Sequence, residues 1–470
     1  MNLNTKASIA ARQLRLQPTA VTRRMAAALP GLRNVAKEKG LKIHHLGAGY
    51  PNPEVTNPDS FVQSTENWFE ILARREGLNS TDETPQFLRD AYAYTDTLGP
   101  IGPRESFASV YGRDWNIAID PNRLIPTIGA TGGIALLCSL FERANQPLAY
   151  ITDAPTYAGF LSRATLNSNC QIFSVDMDSE GPYLDQFRDQ IRKARAEGFY
   201  VPFYYTVPDG HNPAGFSFSQ ERREAIVEIA TEEGILIVED APYLYISYLS
   251  EGERPQPFIS IDPERTVHLF TGSKIGLPGP RVGFIYSDAT IEITGGELIS
   301  LTEMLLTEAS ADILFHNPLS LLSFQSLLHE SDGKVRSSLW PIADQKLKIY
   351  SENREIVLGG LECGLGDFPD KISWTNPAAG FFTVVTIRDP HIEVNDQFAL
   401  HLVEEYGIVI VPMFDFFPDD ARQRDRSAGY SQMRLSFGFT ESVGEQRTRD
   451  LQAAIDQFCT AMRKELSLGN

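Results

Sequence analysis

The sequence predicts an α/β protein: a large unit on a mostly parallel sheet, followed by a smaller α+β unit. Three observations lead there. The 470 residues are 42% apolar and 22% charged, the composition of a folded chain with room for two substantial cores. From Arg123 onward, short strand-like runs at 148–152, 201–207, 235–238 and 266–269 alternate with longer stretches of helical period. Such alternation marks parallel strands joined by crossover helices. After about Phe315 the pattern changes, and a second unit begins.

Taken in order, a helix is expected at about 19–36, interrupted near Pro30, then crossover helices at 132–142, 184–197 and 219–233, the last capped by Ser219. Helical sequence follows through 338–359, then β segments near 381–388 and 407–411, then a final helix. No repeat and no low-complexity tract interrupts this order.

Charge and cysteine content narrow the function. With 42 Lys plus Arg against 61 Asp plus Glu, the net charge of −19 opposes phosphate neutralisation and docking on anionic lipid, so neither nucleic acid nor membrane is expected as a partner. No apolar run reaches the 18 or so residues of a spanning helix. The four cysteines, Cys138, Cys170, Cys363 and Cys459, are far apart in sequence, which fits a reducing cytoplasm and gives no thiolate zinc site. His44 and His45 are neighbours that point to opposite faces of a strand, and no structural metal is expected. The first 37 residues carry seven basic side chains, among them Lys6, Arg12 and Arg15, and no acid. An organelle transit peptide and a short arm followed by a packing helix both fit that segment.

The chemistry gathers at the ends of the predicted strands. The run 266–269 leads into Thr271-Gly-Ser-Lys-Ile-Gly-Leu-Pro-Gly-Pro-Arg281-Val-Gly283. A lysine held at a strand end in a partly dry site has a lowered pKa and can bond covalently to a carbonyl cofactor. Arg281 with the hydroxyls of Thr271 and Ser273 can hold a phosphate. The apolar strand Ile235-Leu-Ile-Val-Glu-Asp240-Ala-Pro-Tyr243 delivers a carboxylate at its C-terminal end, where active sites of open α/β sheets lie. Val207-Pro-Asp-Gly-His-Asn212-Pro-Ala-Gly215 is a second strand-end turn, and Pro126-Thr-Ile-Gly129-Ala130-Thr131-Gly132-Gly133 is a glycine turn presenting backbone N–H groups to an anion. Taken singly these segments also read as ordinary structure: a helix cap at Asp240, a Pro/Gly turn at Asn212, a core tyrosine at Tyr157, a surface charge at Arg434. Their order along the chain joins them.

Together these segments resemble the cofactor site of fold-type I pyridoxal-phosphate enzymes, the aspartate aminotransferase superfamily. The resemblance covers about residues 17 to 465 and implies the PLP-dependent transferase fold. That fold has a mostly parallel, seven-stranded-type sheet in a large domain at 61–335, a small α+β domain made of 17–60 and 336–470, and an arm at 1–16. It implies pyridoxal 5′-phosphate as cofactor, with Lys274 as the catalytic lysine bonded to it. Asp240 would pair with the ring nitrogen, and Tyr243 and Asn212 would bond the ring oxygen. Tyr157, from Ile151-Thr-Asp-Ala-Pro155-Thr-Tyr157, would stack on the ring. Ala130, Thr131, Thr271, Ser273 and Arg281 would hold the phosphate. Tyr94, in Tyr94-Thr-Asp-Thr-Leu-Gly99-Pro-Ile-Gly-Pro-Arg104, would reach the phosphate of a partner subunit, which implies a homodimer with shared sites. Arg434, in Gln432-Met-Arg434-Leu-Ser-Phe437, would clamp the substrate α-carboxylate, and Gly49 and Tyr50, in Leu46-Gly-Ala-Gly49-Tyr50-Pro51, would line the substrate pocket. Phe414, Phe416 and Phe417 are further pocket candidates by the same resemblance.

Within the superfamily the sequence looks nearest the valine–pyruvate aminotransferase branch, through 46–51, 273–283 and 407–418. It departs in the extra glycine at 132 and in a longer segment around 61–93. The expected activity is transfer of an amino group between an L-amino acid and a 2-oxo acid, valine or alanine with pyruvate, in amino-acid metabolism. An alternative keeps the cofactor but eliminates or replaces a β or γ substituent. Aminocyclopropane-carboxylate synthases do so on S-adenosylmethionine, and their similar Ser-Lys motif is one residue longer after the lysine. A non-catalytic sensor module is disfavoured by the acidic charge, and a nicotinamide dehydrogenase by the lack of a G-x-G-x-x-G after a first strand.

Overall fold

Runs such as Leu236–Asp240 and Phe203–Thr206 are buried at every position, because helices cover both faces of the sheet they join. The side chains nonetheless alternate. Tyr150, Phe203, Tyr205 and Val238 enter one core, while Ile151, Tyr204 and Ile237 enter the core on the opposite face, as the two-residue period of a strand requires. The computed structural model describes residues 21–78 and 83–468. The arm at 1–16, and Thr19 and Ala20 of the expected first helix, lie outside the described residues.

In spatial order the large sheet runs Ile125–Ile128, Val282–Tyr286, Thr266–Thr271, Leu236–Asp240, Phe203–Thr206, Leu148–Ala154, Cys170–Asp178 and the two-residue edge Gly181–Pro182. The strands from Thr266–Thr271 through to Cys170–Asp178 are parallel. Val282–Tyr286 is antiparallel to both its neighbours, and Gly181–Pro182 folds back on Cys170–Asp178. The sheet is therefore the seven-stranded type with a short eighth strand added at one edge. From Leu148–Ala154 the chain steps outward to Cys170–Asp178 and then returns to the other side at Phe203–Thr206. Open sheets of this kind bind ligands at such a reversal, beyond the carboxyl ends of the strands.

Crossover helices form at Gly129–Phe141, Leu184–Ala196 and Gln220–Glu232. Ser219 caps the last, its hydroxyl accepting from the N–H of Arg222 at 3.2 Å. The first begins three residues earlier than the sequence suggests. Gly129 takes φ +64°, which turns the chain at once from strand into helix, so Ala130 and Thr131 lie in the first helical turn and not in a separate loop.

The smaller unit has a four-stranded antiparallel sheet ordered Ile372–Trp374, Phe382–Ile387, Gln432–Ser436 and Val411–Pro412, backed by the helices Trp340–Leu365 and Gly444–Glu465. The expected single segment at 407–411 is two: Ile408–Val409 pairs in parallel with His44–His45, and Val411–Pro412 joins the four-stranded sheet. The helix Val21–Glu38 runs through Pro30 without interruption. Pro30 is exposed, so the hydrogen bond it removes opens toward solvent while Leu32 stays packed on Val403 and Val409. The segment after residue 60 forms the helices Pro58–Arg75 and Gln86–Ala91. No helix among the described residues is long and apolar enough to cross a membrane.

Candidate active site

Six of the eight strands of the large sheet bring a group to the same edge. Tyr157 follows Leu148–Ala154, Asn212 follows Phe203–Thr206, and Asp240 ends Leu236–Asp240. Lys274 follows Thr266–Thr271, and Arg281 precedes Val282–Tyr286, whose reversed direction brings its start to that edge. The Gly129 turn arrives there from Ile125–Ile128, since Ile128 pairs with Val282.

Lys274 Nζ donates to the Gly49 carbonyl at 2.9 Å, which ties the turn after Leu46 to the lysine loop. Burial pulls the amine down from 10.5 to about 8. The Arg434 and Arg281 charges push the same way and Asp240 opposes them. Gly49 packs against the same groups: a β-carbon there would lie in ordinary contact with Phe382 at 3.4 Å and Arg434 Nη2 at 3.7 Å.

At one end of this cluster Arg281 Nη1 donates to Ser273 Oγ at 3.1 Å and Nη2 to the Ile128 carbonyl at 3.1 Å. Thr271 Oγ1 lies 3.0 Å from Ser273 Oγ and accepts from the Ser273 N–H at 3.2 Å. The Gly129–Phe141 helix starts beside them with no side-chain cap, so its first N–H groups, including those of Ala130 and Thr131, have no intrahelical acceptor. Thr131 stands beside the hydroxyl of the partly buried Tyr157. A β-carbon on Gly129 would lie 2.6 Å from Arg281 Nη2 and sit on a backbone at φ +64°, so a side chain there would strain the turn and displace the guanidinium.

At the other end Asp240 is buried, and its two oxygens differ. Oδ2 accepts from Tyr205 Oη at 2.7 Å, whereas Oδ1 is buried with no partner. Burial raises this carboxyl to about 6, against the pull of Tyr205, His268 and Lys274. Tyr243 is buried edge-on to Phe381 at 5.3 Å and 85°, and burial pushes its phenol far up.

Arg434 is 1% exposed, its guanidinium between the rings of Phe382 at 4.1 Å and Phe416 at 5.2 Å. Nη1 donates to Asn212 Oδ1 at 2.7 Å and Nη2 to the Gly47 carbonyl at 3.2 Å, while Nε is buried without a partner. Burial brings it down to about 10.

Two expected residues stand apart from the cluster. Tyr50 is half exposed with its ring edge-on to Phe439. Tyr94 is 88% exposed and meets only the edge of Phe315 among the described rings. Several residues that sequence reasoning passes over belong here. Tyr205 holds Asp240, and His316 Nε2 lies 3.0 Å from the Arg281 carbonyl. His211 bonds the buried Asp153 at 3.3 Å, directly before Asn212. Phe382 lies over Arg434 together with Phe416, which the resemblance had offered as a pocket candidate. His211 is the one carrying a sequence signal, through its place beside Asn212 in the strand-end turn.

This sheet, with its second unit folded over the strand ends, is the fold of the fold-type I pyridoxal-phosphate transferases. Residues 88–429 match the family model described as aminotransferase class I and II, and the chain belongs to that family. An uncharacterized aminotransferase of Saccharolobus solfataricus is 26% identical over 430 residues, covering 91% of this chain and 94% of that protein. The (S)-3,5-dihydroxyphenylglycine transaminase of Amycolatopsis orientalis is 28% identical over 368 residues, 77% of each chain. The crystal structure of the Pyrococcus horikoshii kynurenine aminotransferase superposes with a TM-score of 0.75 at 22% identity, covering 97% of both chains.

The chain is a pyridoxal-phosphate-dependent transaminase, and its own residues fit that cofactor. The unpartnered Asp240 Oδ1 is an acceptor awaiting a donor, such as a protonated ring nitrogen. The uncapped helix start beside Arg281, Ser273 and Thr271 suits a phosphate.

Proposed function

We propose that this aminotransferase takes its amino group from a neutral L-amino acid with an apolar side chain, with the valine or alanine and pyruvate pair as the finer reading. The observation that carries the proposal is Arg434, a buried guanidinium enclosed by two aromatic rings with its Nε unpartnered. It supplies a cation for one α-carboxylate and apolar surface beside it. An aromatic donor is the second reading, favoured by the Phe382, Phe416 and Phe439 rings near Arg434 and Tyr50. The dihydroxyphenylglycine and kynurenine named for the relatives favour it too.

When bound, the cofactor supplies an electron sink for charge developing on the substrate α carbon. Lys274 is proposed as the residue that carries the cofactor, and its Nζ, pulled down to about 8 by burial, as the base that removes the α proton. Asp240 Oδ1 would hold the ring nitrogen, while Tyr243 and the Asn212 amide would hold the ring oxygen and Tyr157 would cover the ring face. Ala130, Thr131, Thr271, Ser273 and Arg281 would hold the phosphate, with Tyr94 reaching it from a second copy in a homodimer. Gly49 and Tyr50 would close over the substrate, with Arg434 as its carboxylate clamp. The small domain would comprise 17–60 and 336–470 and the large domain 61–335. A cytoplasmic location is part of the same reading.

The test is the absorbance of the enzyme loaded with pyridoxal phosphate while single L-amino acids are added, with Lys274→Ala as control. Valine or alanine should bleach the visible band and pyruvate should restore it. Bleaching by phenylalanine or kynurenine but not by valine would favour the aromatic reading, and bleaching by aspartate alone would refute both.

A further inference from the structure

We propose that Tyr205 is a positioning residue for the cofactor, its hydroxyl holding Asp240 so that a single oxygen, Oδ1, is presented to the ring nitrogen. The inference rests on the reading above that Asp240 faces the cofactor. Tyr205 lies opposite Val238 in the parallel pairing of Phe203–Thr206 with Leu236–Asp240. Tyr205, Val238 and Asp240 thus share one face of the sheet, with Asp240 diagonal to Tyr205. The hydroxyl reaches Oδ2 at 2.7 Å, and both side chains are buried.

A carboxylate with two equivalent oxygens can present either of them. Here one is committed, and the other is left as a buried acceptor with no protein donor. The tyrosine is itself held on two sides. Its ring stacks on Phe160 with centroids 3.9 Å apart and planes at 10°, and its backbone carbonyl accepts from Thr152 Oγ1 at 2.9 Å. Phe160 stands on the helix Ala158–Ala164, which begins immediately after Tyr157. One aromatic contact therefore links the element bearing Tyr157 to the carboxylate on the far strand.

The hydroxyl also stabilises the ionised carboxylate, because a hydrogen bond donated to an anion favours the charged form. Without it both oxygens of a buried Asp240 would be unsatisfied. The carboxyl would then take up a proton at higher pH and lose its charge toward a protonated ring nitrogen.

Tyr205→Phe tests this, since it keeps the stack on Phe160 and deletes only the hydroxyl. Titration of the apoenzyme with pyridoxal phosphate should give a dissociation constant about tenfold weaker, in line with loss of one hydrogen bond to a charged group. The acid limb of the half-reaction rate should move to higher pH, with KM for the amino donor unchanged. Phe160→Leu, which retains the hydroxyl, should lower Tm and move that limb much less than Tyr205→Phe does. A Tyr205→Phe enzyme that loses only thermal stability, or a Phe160→Leu enzyme whose acid limb moves as far, overturns the proposal. Asp240→Asn separates the two levels of failure. If it leaves cofactor affinity intact, the reading of Asp240 itself falls; if it abolishes affinity while Tyr205→Phe is silent, only the role of Tyr205 falls.

Discussion

Lys274 illustrates how burial sets reactivity. A lysine of ordinary pKa is almost wholly cationic at neutral pH, but burial pulls this one down to about 8, so roughly a tenth is in the nucleophilic neutral form at pH 7. Because the folded value lies below 10.5, the neutral amine gains population as pH rises through about 8, well before an exposed lysine would. Capture of pyridoxal phosphate by the apoenzyme, trapped with borohydride and quantified by mass, should rise between pH 7 and 9 and level off. A rise continuing to pH 10.5 would show that Lys274 is not desolvated. Arg434 makes a second residue-scale prediction. Arg434→Lys keeps the charge but loses the planar fork that bonds Asn212 and Gly47 and stacks between two rings. KM for the amino donor should rise by roughly 10- to 100-fold, the size of losing one charge-assisted pair, with a smaller change in kcat. Lys274 and Arg281 were legible because lysine, hydroxyls and arginine fall within one short segment. Tyr205 was not, because it sits in an apolar strand and its partner is 35 residues away.

Elements matter here because they aim their ends. The crossover pattern made the parallel strands readable as apolar runs of buried type, and the Ser219 cap was visible from its residue type and place. Val282–Tyr286 was not read as a strand, because it follows a Gly/Pro turn and runs against its neighbours, so no helix announces it. Yet this antiparallel strand brings Arg281 to the site edge beside Gly129. The pair is tightly fitted: the Gly129 N–H donates to the Arg281 carbonyl at 3.0 Å, and Arg281 itself takes φ +58°. Gly129→Ala should therefore act twice. A side chain at φ +64° is strained by roughly 1–2 kcal/mol, and its β-carbon must displace the guanidinium. Tm should fall, and the apoenzyme should bind pyridoxal phosphate more weakly with the deficit concentrated in free phosphate competition. A variant with lowered Tm and normal cofactor affinity would show that the arginine moves aside without consequence.

At the scale of the whole molecule, fold class followed from the alternation of strand and helix. A residue serving another copy leaves no trace in its own chain except exposure. Tyr94 is 88% exposed, an extreme value for a tyrosine, and with Ile101 and Val335, at 43% and 42%, it borders a cavity of about 880 Å³. Single exposed apolar side chains need no explanation, but several around one cavity suit the proposed contact with a second copy. The proposed two-fold dimer makes a quantitative prediction, because each centre would then combine Lys274 of one protomer with Tyr94 of its partner. Lys274→Ala and Tyr94→Ala should each be impaired as pure proteins. Unfolded together and refolded as a mixture, they form heterodimers in which one centre has both native residues and the other has neither. Random reassortment makes about half of the dimers mixed, so activity should recover to about a quarter of the wild-type value. Activity equal to the average of the two parents, in a mixture shown by mass spectrometry to contain heterodimers, would place Tyr94 outside the partner's centre.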